Sequence, residues 1–354
     1  MVVQPASKPA DPSLATLRIG VLRFKLTPVS LLIVPAVNKG NMLRGGFGHS
    51  FRRLACIPEC RDAHICPIAE QCPYKQVFEP SPPAGAARLS KNQDIPRPFV
   101  FRPPQSSKTH FERNEPFEFE MVLIGRALDY IPYFVLAFRE LAEGGLGLNR
   151  GHCTLDRVEA LGVDMGNRVS GADVEPPAAS NAPSSLDKPL YSSEDQLFRS
   201  INGIDSTGWL ESRLRRLRAE NDDSHSTLKL IFSTPTLIRA QGQVIHEPEF
   251  HHLFKRLRDR INALSTFFGD GPLDIDFRGI GERAENVSRI TWRFEWDPRE
   301  RTSSKTSQRH EISGFVGEGT YEGELTEFLP WLAMGELVNV GKHTAWGNGR
   351  FVMV

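Results

Sequence analysis

Two histidines and four cysteines are the side chains here whose types and spacing suit chemistry. His49 stands in LRGGFGHSFRRL (43–54), among Arg44, Arg52 and Arg53. His343 follows Lys342 in GKHTAWGNGR (341–350), a turn that also carries Gly341, Gly347, Gly349 and Arg350. Histidine titrates near neutrality, so a histidine beside fixed positive charge suits proton transfer at a phosphate. Read as a helix, 43–54 places Leu43, Phe47, Phe51 and Leu54 on one buried stripe. At about 100° per residue, His49 then faces the opposite way, with Arg52 and Arg53 on its side. Gly45, Gly46 and Gly48 each weaken a helix by up to ~1 kcal/mol relative to alanine, which fits close approach of another backbone. The plain alternative is a surface histidine at a glycine-softened helix start. Surface positions are also the default for His110, His251 and His252.

Cys56, Cys60, Cys66 and Cys72 follow the spacing C-x3-C-x5-C-x5-C, with His64 inside the run. In a reducing compartment such clustering points to metal before disulfides. Tetrahedral zinc takes four sulfur or nitrogen ligands, and four thiolates would close the site and make it structural. The paired C-x2-C knuckles of zinc modules are missing, so an iron–sulfur cluster and unliganded thiols stay open as readings. Cys153 stands alone and reads as a strand core residue.

These residues need elements to position them. A stretch from about Asp164 to Gln196, rich in Pro, Ala, Ser and Gly and without apolar period, reads as a linker between two folded parts. Beyond it, Leu228–Ile238 reads as a strand and Glu249–Phe268 as a helix. Val287–Trp296 and Ile312–Tyr321 read as a strand pair, Thr326–Val338 as a capped helix and Arg350–Val354 as a last strand. Before it, the same order appears with an insertion: strand Leu17–Leu26, helix Leu43–Leu54, strands Arg97–Phe101 and Pro116–Ile124, helix Leu128–Glu143, and a strand from His152. A helix, a glycine-rich turn and a strand thus occur twice, at Leu146–Leu155 and Gly341–Val354. The fold class is α+β: two tandem ferredoxin-like (βαββαβ, RRM-like) domains. The expected bounds are a disordered lead 1–13, a first domain 14–163 with a Cys-rich insertion 56–80, a linker 164–196, and a second domain 197–354 with a glycine-rich loop 341–349.

Composition bounds the function. The 354 residues carry 43 Lys plus Arg against 43 Asp plus Glu, so charge must be read locally. Lys39–Arg61 is net +4, Leu210–Arg218 net +3 and Arg278–Arg309 net +3. Any single such run is more often a solvated face than a binding surface. Phe99, Phe101, Trp292, Phe294 and Trp346 are candidate base-stacking aromatics, with core packing as the commoner role. The longest apolar run, Val29–Val37, is far short of the ~20 residues of a membrane span. With no secretory block at the N-terminus, the expected location is the cytoplasm.

GELVNVGKHTAWGNGRF (335–351) resembles the glycine-rich C-terminal signature of the CRISPR repeat-RNA processing endoribonucleases, within the RAMP superfamily. LRGGFGHSFRRL, CPYKQVFEP (72–80), IPRPFVF (95–101) and SGFVGEGTYEGEL (313–325) resemble further stretches of that family. The resemblance implies cleavage of CRISPR repeat RNA without a catalytic metal. The 2′-hydroxyl attacks the adjacent phosphate, leaving a 2′,3′-cyclic phosphate and a 5′-hydroxyl. It also implies a CRISPR effector complex as partner, and the short apolar runs imply no membrane. Many members carry a histidine where Asn339 stands here, so no catalytic role carries over to that position. The resulting expectations are His49 and His343 for proton transfer, the 341–350 turn and Arg44, Arg52 and Arg53 for RNA, and structural zinc on the cysteines. The competing expectation is a non-catalytic RAMP subunit that grips guide RNA.

Overall fold

A computed structural model describes residue 14 and residues 17–60, 66–80, 95–162, 188–199, 207–220, 227–302 and 308–354. The lead 1–13, His64 and most of the expected linker lie outside these residues. The N-terminal half runs β1 (Ile19–Pro28), α1 (Lys39–Ala55), α2 (Pro73–Val77), β2 (Phe99–Arg102), β3 (Phe117–Ile124), α3 (Ile131–Gly144), β4 (Cys153–Ala160) and β5 (Lys188–Ser192). Its sheet has the order β2-β3-β1-β4-β5, antiparallel throughout. The β1 register, Phe24 against Phe119 and Val158, is set by alternation. Leu22, Phe24 and Leu26 point into a core shared with α1 and α3, while Ile19 and Val21 point to the other face.

The C-terminal half runs α4 (Thr207–Glu220), β6 (Thr227–Thr236), α5 (Phe250–Phe268), β7 (Ser288–Asp297), β8 (Glu300–Thr302), β9 (Arg309–Glu311), β10 (Gly314–Glu322), α6 (Leu329–Val338) and β11 (Phe351–Met353). Its sheet has the order β7-β10-β6-β11. The two ferredoxin-like domains match the expected class, and three details differ. Part of the expected linker is β5: Tyr191 pairs with Val158, and Leu190 and Tyr191 are buried, too few residues to show a period. The basic run Leu210–Arg218 belongs to α4, which buries Trp209, Leu210, Leu214 and Leu217. α6 begins at Leu329 with Pro330 in its first turn, so Thr326 is not its cap.

The domains share a core. Ile19, Val21, Val100, Val122 and Ile124 of the first sheet join one apolar cluster with the C-terminal helices, so the first sheet is buried on both faces. Closeness of approach explains most glycines of α1. A Cβ on Gly46 would lie 2.8 Å from Leu141 of α3, and one on Gly48 would lie 2.2 Å from Phe78. Gly40 faces the Trp346 carbonyl. Only Gly45, of the three expected to admit a partner backbone, opens onto free space. Gly45→Ala is therefore expected to stabilise the protein by about 0.5–1 kcal/mol, and Gly48→Ala to destabilise it by about 1–3 kcal/mol. Melting temperatures of the two variants that moved in the same direction would refute this assignment. The buried stripe of α1 ends at Phe51, since Leu54 is 41% exposed.

Candidate functional site

The site begins at the C-terminus of α6. A helix end leaves its last carbonyls unpaired, and here cations from both domains take them. Arg102 of β2 donates through Nη2 to the carbonyls of Glu336 and Leu337, and Arg260 of α5 donates through Nε to that of Val338 at 2.9 Å. Guanidinium groups at a helix C-terminus also oppose its dipole. Glu336, itself buried, accepts from Arg213 Nε and Nη2 at 2.9 Å each and from the Met353 amide at 2.8 Å. Burial depresses the Arg102 guanidinium to about 10 and that of Arg260 to about 9, so both stay charged at neutral pH.

The glycine-rich turn starts on this frame. Asn339 turns the chain at φ 60°, ψ 170°, is fully buried, and donates through Nδ2 to the carbonyls of Asn348 (3.0 Å) and Gly347 (3.3 Å). It clasps the loop shut, a structural role. Most loop amides are spent inside the protein: Lys342 on Leu237 O, Trp346 on His343 O, Gly347 on Thr344 O, Gly349 on Pro235 O and Arg350 on Thr234 Oγ1. Gly347 and Gly349 were expected to face RNA, yet both are buried. A Cβ on Gly349 would lie 1.8 Å from Val340 O, and one on Gly347 would lie 2.5 Å from Phe101 O. Gly341 similarly backs onto Leu237 O. These glycines exist for close backbone approach at positive φ.

What the loop presents is Trp346 and His343. The two rings lie 5.1 Å apart, with His343 held in the left-handed region at φ 63°. Two guanidinium groups cover the indole: Arg44 of α1 at 4.6 Å and Arg301 of β8 at 4.8 Å. Arg44 also lies 4.5 Å over the Phe78 ring. Burial, then the nearby Arg97 and Arg301, lowers the Arg44 guanidinium to about 10. Its buried Nε and that of Arg301 have no hydrogen-bond partner. Glu79 is the acid that offsets this charge, and it accepts from Tyr74 Oη at 3.2 Å. An adjoining cleft is lined by Asn38, Lys39, Gln105, Arg299, Trp346 and Asn348. Lys39 Nζ there donates to Ala36 O and Ser106 O, and burial, then Arg299, lowers its pKa. The gathered cations Arg44, Arg301 and Lys39 make this corner electropositive, while Arg299 is paired with Asp297 at 2.7 Å.

Of the expected residues, the fold brings together Arg44, His343 and the 341–350 turn. Lys342 is exposed at its tip. His49 is exposed on α1, on the side of Gly45 and about 100° from Gly48. Arg53 pairs with Glu140 of α3, and Arg350 is half-buried on the β6 side of the loop. Arg97, Arg301 and Lys39 join the cluster without having been singled out; local charge runs were the signal for Lys39 and Arg301, while Arg97 lies in no such run. Phe99 and Phe101 are fully buried core residues, and Phe294 packs against the core. Trp292 is 48% exposed under Arg289, 4.1 Å from its ring. His110 is exposed and bonded to Thr109; His252 caps α5 through Glu249 N. The cysteines are all free. Burial, followed by Cys72 and Cys60, pushes the Cys56 thiol up to about 12.

The comparisons fit this geometry. Residues 230–351 match the family described as CRISPR-associated endoribonuclease Cas6, and residues 17–179 match a family described as an N-terminal domain. An uncharacterized protein of Archaeoglobus fulgidus is 22% identical over 315 residues, 88% of this chain and 90% of that one. A Thermus thermophilus Cas6 in its product complex superposes with a TM-score of 0.52 at 16% identity, over 95% of this chain and all of that one. A Cas6-RT-Cas1–Cas2 complex superposes with a TM-score of 0.53 at 10% identity, over 96% of this chain and 46% of the other. No described helix is long and apolar enough to cross a membrane. The second domain thus matches the Cas6 family over residues 230–351, and the two domains together share the fold of the Cas6 structure.

Proposed function

We propose that the protein cuts CRISPR repeat RNA within each repeat, without a catalytic metal. The 2′-hydroxyl attacks the neighbouring phosphate and leaves a 2′,3′-cyclic phosphate and a 5′-hydroxyl. The observation that carries this reading is the meeting of Arg44, Arg301, His343 and Trp346 where α1, β8 and the glycine-rich turn converge. The reaction needs positive charge at the phosphate and a group that moves protons near neutrality; the arginines supply the first and His343 the second. The product stays bound and passes to a CRISPR effector complex. End-labelled repeat RNA, incubated in EDTA, tests the reading. One cut per repeat with a cyclic phosphate end supports it. Tight binding of intact RNA would instead favour the guide-gripping RAMP subunit.

Arg44 gives a separate prediction on affinity. Arg44 is half-buried, and its guanidinium over the Trp346 indole places fixed positive charge where a phosphate can be held. Arg44→Ala is expected to weaken RNA binding similarly for all sequences and to lower the salt slope of log K by about 1. A full wild-type slope in the variant would mean that Arg44 touches no phosphate.

A further inference from the structure

The described residues of the insertion between α1 and α2 have little to hold them. Of its described residues from 57 to 71, none is buried. Its backbone bonds are local turns: Cys60 N to Ile57 O, Ala69 N to Cys66 O, Gln71 N to Ile68 O and Cys72 N to Ala69 O. These described residues form no ladder and no apolar anchor, although ordering each residue costs conformational entropy. Segments without a core of their own are commonly stapled by disulfides or metal.

The fold brings the four thiols of this segment to one another. Cys56 ends α1 and Cys72 is the N-cap of α2. The Cys56 thiol hydrogen-bonds with Cys60 and Cys60 with Cys66, while Cys72 lies beside Cys56. Cys72 is also buried, its Sγ 4.0 Å from Ala55 O. The thiols thus link the two ends of the insertion, 16 residues apart, beside the packing of Phe51 on Tyr74. Among the described residues, no three ligating groups yet converge on one point: the thiols form an open chain of S–H contacts. Such contacts need protons, and metal binding displaces those protons and draws the sulfurs inward. Four soft thiolates and no open position favour zinc in a structural role.

We infer that Cys56, Cys60, Cys66 and Cys72 bind one zinc ion in a closed four-thiolate site that pins the insertion and α2 against α1. α2 leads directly to Phe78, whose ring lies under Arg44, so the zinc braces one wall of the cationic site. The inference does not depend on whether the protein cuts RNA.

The test uses the full chain, expressed in zinc-supplemented medium, with metal content measured by plasma mass spectrometry. Cys60→Ser and Cys66→Ser are chosen because both residues are only half-buried; Cys153→Ser, outside the cluster, is the control. One zinc per chain is expected for wild type and Cys153→Ser, with most of it lost in the other two. Cobalt substituted into wild type should give the intense visible bands of tetrahedral thiolate ligation. A chelator should lower the melting temperature of wild type and leave that of Cys60→Ser unchanged. Wild type without zinc, with five thiols reacting freely in the presence of metal, would overturn the inference. So would iron in place of zinc, a disulfide among the four, or undiminished zinc in Cys60→Ser and Cys66→Ser.

Discussion

His343→Asn is expected to lower repeat-RNA cleavage by about 10²–10⁴-fold while leaving RNA affinity within a few-fold of wild type. The expectation rests on placement. The His343 ring lies tilted against Trp346, 5.1 Å away, and the same indole carries the guanidiniums of Arg44 and Arg301. A phosphate held by those arginines would sit within reach of the imidazole. Asparagine suits the test better than alanine because position 343 sits at φ 63°, a conformation asparagine tolerates well. It keeps the loop and removes the titrating group. His49→Ala is the necessary companion, since His49 lies on the exposed side of α1 with Gly45. If His49→Ala abolishes cutting and His343→Asn does not, the reactive phosphate lies on that side of α1. Gly45 would then mark the RNA path, and the arginines around Trp346 would only hold flanking RNA.

The largest expected effect on stability is at Glu336. Glu336→Ala removes two carboxylate acceptors from Arg213 and the partner of the Met353 amide, in a site where the carboxylate is 1% exposed. Removing one member of a buried pair costs about 3–5 kcal/mol, because the other charge loses its main compensation. Arg213 keeps a bond to Met353 O at 2.8 Å, which places the loss toward the lower end of that range. Denaturant unfolding monitored in parallel for Glu336→Gln should show a smaller loss, since the amide can still accept one bond. An unchanged midpoint for Glu336→Ala would mean that the α4–α6–β11 network contributes nothing net. The network also bears on function. Arg102 reaches the α6 carbonyls from the other domain, so loosening α6 loosens the loop that follows it.

Local pattern and tertiary context divided the work unevenly. The strands of both sheets other than β5, α3, α5 and the doubled βαββαβ order were readable because each presents a run of period 2 or 3.6 long enough to register. The glycine-rich turn and the cysteine cluster were readable for another reason: their residue types are rare in combination. β5 escaped because its two buried residues sit in a stretch otherwise built of Pro, Ser and Ala. α4 escaped because four arginines masked Trp209, Leu210, Leu214 and Leu217.

Which face each functional residue meets was a tertiary decision. The two glycine-rich turns look alike in sequence. The first closes on its own domain, with Leu148 N bonded to Ile33 O, whereas the second buries Ala345 in the core of the other domain. Only the second can therefore set Trp346 and His343 against α1. The sequence by itself determined the elements, the duplicated order and the supply of arginine, histidine and thiol groups, all of which depend on neighbours a few residues apart. The docking of two sheets through Ile19, Val21 and Val122 decided which of those groups meet. Contacts between residues as distant as Arg44 and Arg301 have no local period to announce them.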